Sequence, residues 1–189
     1  MVCIGEGEET LIELTRKMQK EEYYYDTKGM GFNNSGKRIV NKLRELPGSS
    51  KAIIKSLDEI PFQDHDYKSH HIMMGENIVK MNIDIVKSLR LNEFYQTQPT
   101  RGCPFACTFC VNNTFLAMHP HQKPLRKRSV DNVINELLEV KKNLPFTKII
   151  LFDDDAFFIM PLEEIRDFSI KYKKLIKLPL VITGATPST

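Results

Sequence analysis

The order of apolar and polar positions in the second half of the chain predicts three strands separated by two helices. The strands are short runs rich in aromatic and branched residues at Phe94–Thr97, at 148–152 and at Leu180–Ile182. Ser129 and Pro161 favour the first turn of a helix. Apolar residues at helical spacing follow each of them: first Val130, Val133, Ile134, Leu137 and Leu138, then Ile165, Phe168, Tyr172, Leu175 and Ile176.

This β-α-β-α-β order predicts an α/β fold in which a parallel sheet is covered by helices and joined by right-handed crossovers. Ligands of such sheets bind at the carboxyl ends of the strands. A loop with three cysteines follows the first predicted strand, and Asp153, Asp154 and Asp155 follow the second. We therefore expect both groups of residues at the same edge of the sheet.

The first half of the chain has a less regular pattern. Residues 2–4 form a short apolar run, Gly5 and Gly7 permit a tight turn, and apolar residues at helical spacing continue to about residue 20. The same glycines are also candidates for a ligand-facing turn. Because residues 2–4 have no evident strand partner nearby, we expect the chain to open in the last part of a domain and to be a piece of a longer protein.

Turn and helix signals between residues 29 and 91 predict a hairpin, a connector and a helix. Asn, Ser and Gly at the centre of 29–40 favour a surface hairpin. Prolines and small polar residues in 46–62 favour an extended, unpacked connector. In 77–91, one helical face carries Ile78, Met81, Ile85 and Leu89. From these segments we predict three parts of the chain, 1–45, 46–92 and 93–189.

Composition excludes several classes of protein. Apolar residues make up 41% of the 189 positions, enough for a folded core, and the net charge of +3 is too small to indicate nucleic-acid binding. The densest basic stretch, 119–128, lacks interleaved aromatic residues and is interpreted as a connector. Without a long apolar run or a basic-then-apolar leader, we predict no membrane span, no secretory signal and a cytoplasmic location. The four cysteines are not typical of a secreted disulfide framework.

Cys103, Cys107 and Cys110 form the clearest chemical feature of the sequence. A C-x3-C-x2-C spacing on one loop can turn three thiolates toward one point, as metal binding requires. Three ligands leave one coordination position open on a four-iron cube, where a substrate or cofactor can bind. Two alternatives are a zinc site completed by His119 or His121, and three unrelated buried cysteines. Structural zinc sites usually use two separated ligand pairs, which one loop does not provide.

The loop has the sequence Arg101-Gly102-Cys103-Pro104-Phe105-Ala106-Cys107-Thr108-Phe109-Cys110, with an aromatic residue directly before the last cysteine. It resembles the signature loop of radical S-adenosylmethionine (radical SAM) enzymes. The resemblance implies that the three cysteines bind a 4Fe-4S cluster and that S-adenosylmethionine chelates its fourth iron. It also implies reductive cleavage of that cofactor to a 5′-deoxyadenosyl radical, with electrons from a reductant such as flavodoxin or ferredoxin. Phe109 would lie against the adenine through its ring or the neighbouring backbone.

A second stretch resembles the same family. It reads Phe152-Asp153-Asp154-Asp155-Ala156-Phe157 and is similar to a motif at the end of the second barrel strand that binds the ammonium group of S-adenosylmethionine. The resemblance implies this role for Asp154 and Asp155, and a carboxylate suits a cation because the hydrogen bond is charge-assisted. The alternative is a solvated acidic strand end, or a cap for the helix after Pro161.

Landmarks spread over nearly the whole chain resemble the cobalamin-binding subgroup of this family. They lie in 5–10, 29–40, 57–62 and 126–131. The implied fold class is α/β, a partial radical SAM (βα)6-type barrel with its first three strands, preceded by the C-terminal remnant of a Rossmann-like cobalamin-binding domain. Gly5 and Gly7 would belong to the cofactor-binding turn of that remnant. The subgroup's cobalt-facing histidine loop would lie before Met1, so cobalamin is inferred from the remaining landmarks.

The resulting hypothesis is a radical SAM transferase that carries out cobalamin-dependent methyl transfer or related radical chemistry, with substrate and catalytic residues unassigned. One alternative is an enzyme similar to tRNA methylthiotransferases, although only Cys3 precedes the loop, where those enzymes have three further cluster cysteines. Another alternative is a non-catalytic zinc-binding module. We expect no turnover from this chain alone.

Overall fold

The computed structural model describes residues 1–89 and 93–184. The chain divides into two compact units, and each unit combines two separated stretches. The first unit is Met1–Ile60 with Gly102–Lys127, and the second is Pro61–Arg101 with Arg128–Thr189. The domain limits expected at residues 45 and 92 stay a prediction.

The described strands are, in chain order, β1 Val2–Cys3, β2 Met30–Asn34, β3 Lys37–Val40, β4 His71–Met74, β5 Asn77–Lys80, β6 Phe94–Thr97, β7 Thr100–Arg101, β8 Arg126–Lys127, β9 Ile149–Phe152 and β10 Leu180–Ile182. The α-helices are α1 Glu8–Gln19, α2 Ile83–Leu89, α3 Val111–Met118, α4 Val130–Asn143 and α5 Leu162–Leu175. Short 3-10 turns occupy Leu57–Glu59, Tyr67–Ser69 and Phe157–Ile159. None of the described helices has the length and apolar character needed to cross a membrane.

The first unit contains an antiparallel sheet with the order β1, β2, β3. Val2 lies opposite Gly31 and Cys3 lies opposite Met30. The expectation that the opening strand lacks a nearby partner is therefore wrong. The partner strand follows α1 in the sequence, and a two-residue strand has too little pattern to indicate which later segment it pairs with.

β2 and β3 form the predicted hairpin, but it is packed. Its turn residues Ser35 and Gly36 both have positive φ, 49° and 87°, which is the geometry that favours Gly and Asn in two-residue hairpins. On β2, Met30 and Phe32 are buried with Leu14 of α1 in a small core. Alternate residues of a strand face the same side, so one face of the hairpin is interior and the prediction of a surface excursion is wrong.

The stretch 46–62 is also packed, against the prediction of an extended connector. Leu46 and Leu57 are at most 4% exposed. Ser56 and Glu59 exchange hydrogen bonds between side chain and backbone, and this capping box fixes the 3-10 turn at Leu57. The buried apolar residues of this stretch are widely spaced and lie in turns. They therefore leave no helical or strand periodicity in the sequence.

The second unit contains the predicted parallel sheet, with the order β6, β9, β10. The central strand is β9, where Ile150 lies opposite Tyr95 of β6 and Leu180 of β10. Tyr95, Ile150 and Phe152 are completely buried, in a core that also contains apolar residues of α4 and α5. The predicted β-α-β-α-β order is confirmed for the described residues.

The two helices that cover this sheet begin where the sequence predicts. The Ser129 hydroxyl accepts a hydrogen bond from the Asn132 amide at 3.1 Å and caps α4. Pro161 directly precedes α5. Leu138 and Leu175, predicted for the apolar faces, are exposed, so the buried stripe of each helix is narrower than the run of apolar residues indicates.

A buried carboxylate, Glu136 of α4, belongs to this core. It accepts hydrogen bonds from the Tyr95 hydroxyl at 2.8 Å, the Thr97 hydroxyl at 2.9 Å and the Arg128 guanidinium at 2.7 Å. Tyr95 and Thr97 lie on β6, so the network ties the first parallel strand to the helix that covers it. Nothing in the helical pattern distinguishes Glu136 from a surface glutamate, because its partners come from distant parts of the chain.

The helix predicted for 77–91 is wrong for 77–82 and confirmed for 83–89. β4 and β5 form an antiparallel hairpin in which Ile72 lies opposite Val79. α2 begins only after Asn82, whose side-chain oxygen accepts a hydrogen bond from an amide of the first turn at 2.9 Å. The spacing of apolar residues in this stretch suits both a helix and a strand. The turn at Gly75, with φ 61°, favours the hairpin. Residues 90 and 91 lie outside the described residues.

Replacing Glu136 tests the buried network. Glu136→Ala should lower the free energy of unfolding by about 3–5 kcal/mol, because the Arg128 charge and two hydroxyls lose their buried acceptor. Urea unfolding followed by circular dichroism measures the change. The matched control is Glu139→Ala on the exposed side of the same helix, expected to shift stability by less than about 0.5 kcal/mol. Equal effects of the two variants would contradict a specific role of the network.

Candidate metal centre

The cysteine loop starts at Gly102, where the backbone requires glycine. Gly102 has φ 83°, a conformation that other residues rarely adopt. A Cβ at this position would lie 2.2 Å from the Pro124 carbonyl oxygen, well inside van der Waals contact. Two separate constraints therefore exclude a side chain directly before Cys103.

The three thiols of the loop are free and differ in exposure. Cys107 is exposed, whereas Cys103 and Cys110 are half-buried. The Cys110 amide donates to the Cys107 carbonyl oxygen at 3.0 Å, so a tight turn brings these two residues together. Cys110 directly precedes α3, and the positive N-terminal end of a helix favours an anionic group such as a thiolate.

The described residues contain no group of three or more histidine, cysteine, aspartate or glutamate side chains close enough to hold a metal ion. The three sulfurs thus do not converge in this structure. The donor set still suits an iron–sulfur cluster, because such clusters are held by cysteine thiolates. Little packing opposes convergence, since Phe109 is 92% exposed and Phe105 is 40% exposed. The loop carries suitable ligands on a surface where they can come together.

The two histidines considered for a zinc site have different surroundings. His121 is exposed, whereas His119, which directly follows α3, is only 6% exposed. Burial is the largest influence on the pKa of His119 and lowers it from its usual value, while the charge of Glu6 opposes this. His119 is therefore neutral near pH 7. No zinc site with three or more such ligands is assembled in the described part of the chain.

Of the three aspartates after β9, Asp154 is buried and the other two are exposed. Its carboxylate accepts hydrogen bonds from the amide and the hydroxyl of Thr100, both at 2.6 Å, and from the Ala156 amide at 2.9 Å. Burial raises the pKa of Asp154, and these donors offset the unfavourable burial of its charge. Asp154 ties the end of β9 to β7, whereas Asp155 has an accessible carboxylate.

The backbone conformation explains one of the two glycines in the turn between β1 and α1. Gly5 has φ 94°, which explains a glycine there without a ligand. Gly7 directly precedes α1, and a Cβ at this position would make only an ordinary contact, 3.5 Å from the Leu11 side chain. The role of both glycines in cofactor binding stays a prediction.

Two arginines of the basic stretch 119–128 are held in buried ion pairs. Arg126 forms a bidentate pair with Glu6, at 2.8 and 2.6 Å, and also donates to the Pro47 carbonyl oxygen at 2.8 Å. Arg128 pairs with Glu136 at 2.7 Å. The charge of both arginines is compensated within the protein, which favours the interpretation of this stretch as a connector.

Sequence reasoning missed Thr100 and Gln122, which shape these surroundings. Thr100 is 1% exposed and binds Asp154, and the Gln122 side chain contacts Nδ1 of His119 at 3.3 Å. Buried polar groups are nearly always hydrogen-bonded, but the partner must be known before such a residue can be recognised. The neighbouring sequence carries no pattern that marks either residue as buried.

A single match to a known protein family spans both the cysteine loop and the three aspartates. Residues 97–188 match the model of the radical SAM superfamily. The chain contains a radical SAM domain. This radical SAM domain includes the cysteine loop, the two long helices α4 and α5, and the strands β9 and β10.

Sequence similarity extends beyond the radical SAM domain. Over 173 residues the chain is 25% identical to an uncharacterized methyltransferase of Pyrococcus horikoshii. The match covers 92% of this chain and 32% of that protein. The chain thus spans about a third of the length of this relative.

Solved structures of the cobalamin-dependent S-adenosylmethionine radical enzyme OxsB have a similar fold. The form with aqua-cobalamin and S-adenosylmethionine bound matches with a TM-score of 0.56 and 19% identity, over 91% of this chain and 21% of that chain. The form with aqua-cobalamin bound matches with a TM-score of 0.54 and 20% identity, over the same shares. The likeness establishes a mixed α/β fold that resembles a radical SAM enzyme, of which this chain spans about a fifth.

The entry to the cysteine loop can be tested at Gly102. Gly102→Ala should destabilise the chain both through its positive φ, which costs about 1–2 kcal/mol for alanine, and through the clash with Pro124. The matched control is Gly36→Ala, where φ is 87° but nothing lies within 4 Å of the added Cβ. Urea unfolding of both variants isolates the clash. A loss at Gly102 no larger than that at Gly36 would contradict the close approach.

The tie between β9 and β7 can be tested at Asp154. Asp154→Ala leaves the Thr100 amide, the Thr100 hydroxyl and the Ala156 amide without their acceptor, so the free energy of unfolding should fall by about 1–3 kcal/mol. The control is Asp155→Ala, an exposed carboxylate on the same turn, with an expected change below about 0.5 kcal/mol. Thermal or urea unfolding measures both. A neutral Asp154→Ala variant would show that this carboxylate is not a structural tie.

Proposed function

We propose that this chain belongs to a cobalamin-dependent radical SAM enzyme that cleaves S-adenosylmethionine reductively at a 4Fe-4S cluster. The observation that carries the proposal is the presence of three free thiols, Cys103, Cys107 and Cys110, on one loop of the radical SAM domain. When bound, the cluster would supply the electron that cleaves the sulfonium bond to give a 5′-deoxyadenosyl radical.

The loop residues would bind the cluster and leave one iron for the cofactor. Gly102 permits the backbone turn directly before the first ligand, and the hydrogen bond at 3.0 Å between Cys110 and Cys107 keeps the other two ligands adjacent. The N-terminal end of α3 follows Cys110 and favours the negative charge of a thiolate ligand. These residues supply ligands and local charge complementarity.

Exposed groups of the domain would bind S-adenosylmethionine. The Phe109 ring is accessible, so it can stack on the adenine. Between the two proposed aspartates, exposure favours Asp155 as the residue that receives the ammonium group, because a carboxylate in water's reach can accept a charge-assisted hydrogen bond. Asp154 already accepts hydrogen bonds from Thr100 and Ala156 and would support the turn that carries Asp155.

The cobalamin part of the proposal rests on the first half of the chain. The similarity to OxsB covers 91% of the chain and so reaches well before residue 97, where the family match begins. We infer that 1–45 is the remnant of a Rossmann-like cobalamin-binding domain, with Gly5 and Gly7 in its cofactor-binding turn. The second unit's sheet would be the first three strands of a (βα)6-type barrel within 93–189.

The reaction we propose is methyl transfer or related radical chemistry. The name of the Pyrococcus horikoshii relative, an uncharacterized methyltransferase, supports a transferase. A reductant such as flavodoxin or ferredoxin would supply the electron, in a cytoplasmic setting. The chain spans 32% of that relative, and we expect no turnover from these 189 residues alone.

Anaerobic reconstitution with iron and sulfide tests the cluster. The wild-type chain should gain broad visible absorption, together with iron and acid-labile sulfide near four atoms of each per chain. Cys107→Ala should lose most of this absorption, because the cluster loses one of its three thiolate ligands. Absorption spectra and chemical iron and sulfide analysis provide the measurement.

The matched control is Cys3→Ala, which removes a free thiol that lies outside the loop and should keep the cluster. Equal loss in both variants would point to nonspecific iron binding. Zinc at one atom per chain in the purified protein, without iron or sulfide, would replace the proposed function by the zinc-binding module.

A further inference from the structure

A small cavity in the first unit is lined by Cys103 and by the buried side chains of His119 and Arg126. Its lining includes Cys103, His119, Gln122 and Arg126, and its volume is about 10 Å³. This is close to the volume that a single water molecule needs. The cavity is thus too small for an organic ligand but suited to one bridging water.

The tautomer of His119 follows from its neighbours. The Leu46 amide can only donate, so the Gln122 side-chain atom that it contacts at 2.9 Å is the oxygen. The nitrogen of Gln122 therefore donates to the Glu45 carboxylate at 2.8 Å and to Nδ1 of His119 at 3.3 Å. A neutral imidazole that accepts at Nδ1 carries its hydrogen on Nε2.

Two N–H donors at this cavity lack a protein acceptor. Nε2 of His119 and Nε of Arg126 are buried and have no hydrogen-bond partner within the described chain. Both residues line the cavity, and buried N–H groups of native proteins are almost always satisfied. Cys103 lines the same cavity, and its sulfur can accept a hydrogen bond. One water in this cavity could accept from the two N–H groups and still have hydrogens to donate.

We propose that His119 and Arg126 hydrogen-bond to the sulfur of Cys103 through a water molecule in this cavity. The water accepts from the two N–H groups and donates to the sulfur. This inference rests on the proposed function, because it assigns a role to a cysteine of the cluster loop. Hydrogen bonds to a ligand sulfur stabilise the more negative, reduced state and raise the reduction potential. His119 is a positioning residue that tunes how readily an electron enters.

Two substitutions of His119 separate hydrogen bonding from packing. His119→Phe keeps a ring beside Phe115, whose centroid lies 4.9 Å from the imidazole, but removes the N–H. We expect the equilibrium constant for reduction of the cluster to fall about tenfold in this variant. For one electron, this lowers the reduction potential by about 59 mV. His119→Gln places an amide N–H near the position of Nε2 and should restore most of the potential. A redox titration of the reconstituted chain, followed by electron paramagnetic resonance, gives these values.

The control is His121→Phe, an exposed histidine in the same segment, which should leave the potential unchanged. A His119→Phe potential equal to that of the wild type would overturn the proposal. A His119→Gln potential as low as that of His119→Phe would also overturn it, because the effect would then come from the ring and not from the donor.

Nitrogen NMR of the cluster-free chain provides a readout that needs no metal. In the wild type, His119 should show a protonated Nε2 and an unprotonated Nδ1. In Gln122→Met, the Nε2-protonated tautomer should no longer dominate, because Nδ1 loses its hydrogen-bond donor. The opposite tautomer in the wild type would overturn the inference whatever the cluster does. Failure of the wild type to form a cluster would remove the proposed function and this inference together. If the cluster forms but its reduction potential is the same in His119→Phe as in the wild type, this inference fails and the proposed function stands.

Discussion

The first unit depends on one buried guanidinium. Arg126 is 5% exposed and binds three stretches that are far apart in the sequence: its own segment after the cysteine loop, Glu6 in the turn between β1 and α1, and the carbonyl of Pro47. A buried charge is tolerated only when its partners are complete and well aligned, and the planar guanidinium meets a carboxylate in a bidentate geometry. This single group therefore fixes turns that have no regular secondary structure of their own.

The second unit uses carboxylates for the same purpose. Glu136 joins α4 to β6, and Asp154 joins the end of β9 to β7. In both units, buried charged groups hold irregular segments at the ends of regular elements. The residues from Cys103 to Cys110 contrast with this arrangement, because most of them are exposed. Within the first unit, Arg126 thus fixes the segment after the loop, while most of the loop itself stays exposed.

The sequence predicts the elements that depend on local periodicity and misses those that depend on distant partners. The strands and helices of the parallel sheet follow from their apolar spacing, with Ser129 and Pro161 at the helix starts. The pairing of β1 and the packing of 46–62 were not predictable in this way, because their burial comes from contacts with remote segments. The pattern extends the helix wrongly over 77–82, because a few apolar residues there suit both a helix and a strand until the turn at Gly75 is considered.

For the candidate site, sequence reasoning identified the three cysteines and the three aspartates, whose chemistry is visible from residue type and spacing. It did not separate Asp154 from Asp155, which differ in burial and not in chemistry. It also weighed His119 only as a metal ligand. The set of Leu46, Gln122 and Glu45 that fixes its tautomer joins residues that local patterns cannot relate.

Both units are discontinuous along the chain, since the first resumes at Gly102 and the second resumes at Arg128. Neither unit is complete until the polypeptide has passed through part of the other. During synthesis the opening stretch must therefore wait for residues beyond 102 before Glu6 can meet Arg126, and β6 must wait for β9. Loop closure over such separations slows folding, so each unit is expected to gain its structure only after its second stretch has been synthesised. The segment that carries the thiols is part of the second stretch of the first unit, so its conformation depends on contacts with residues that are synthesised much earlier.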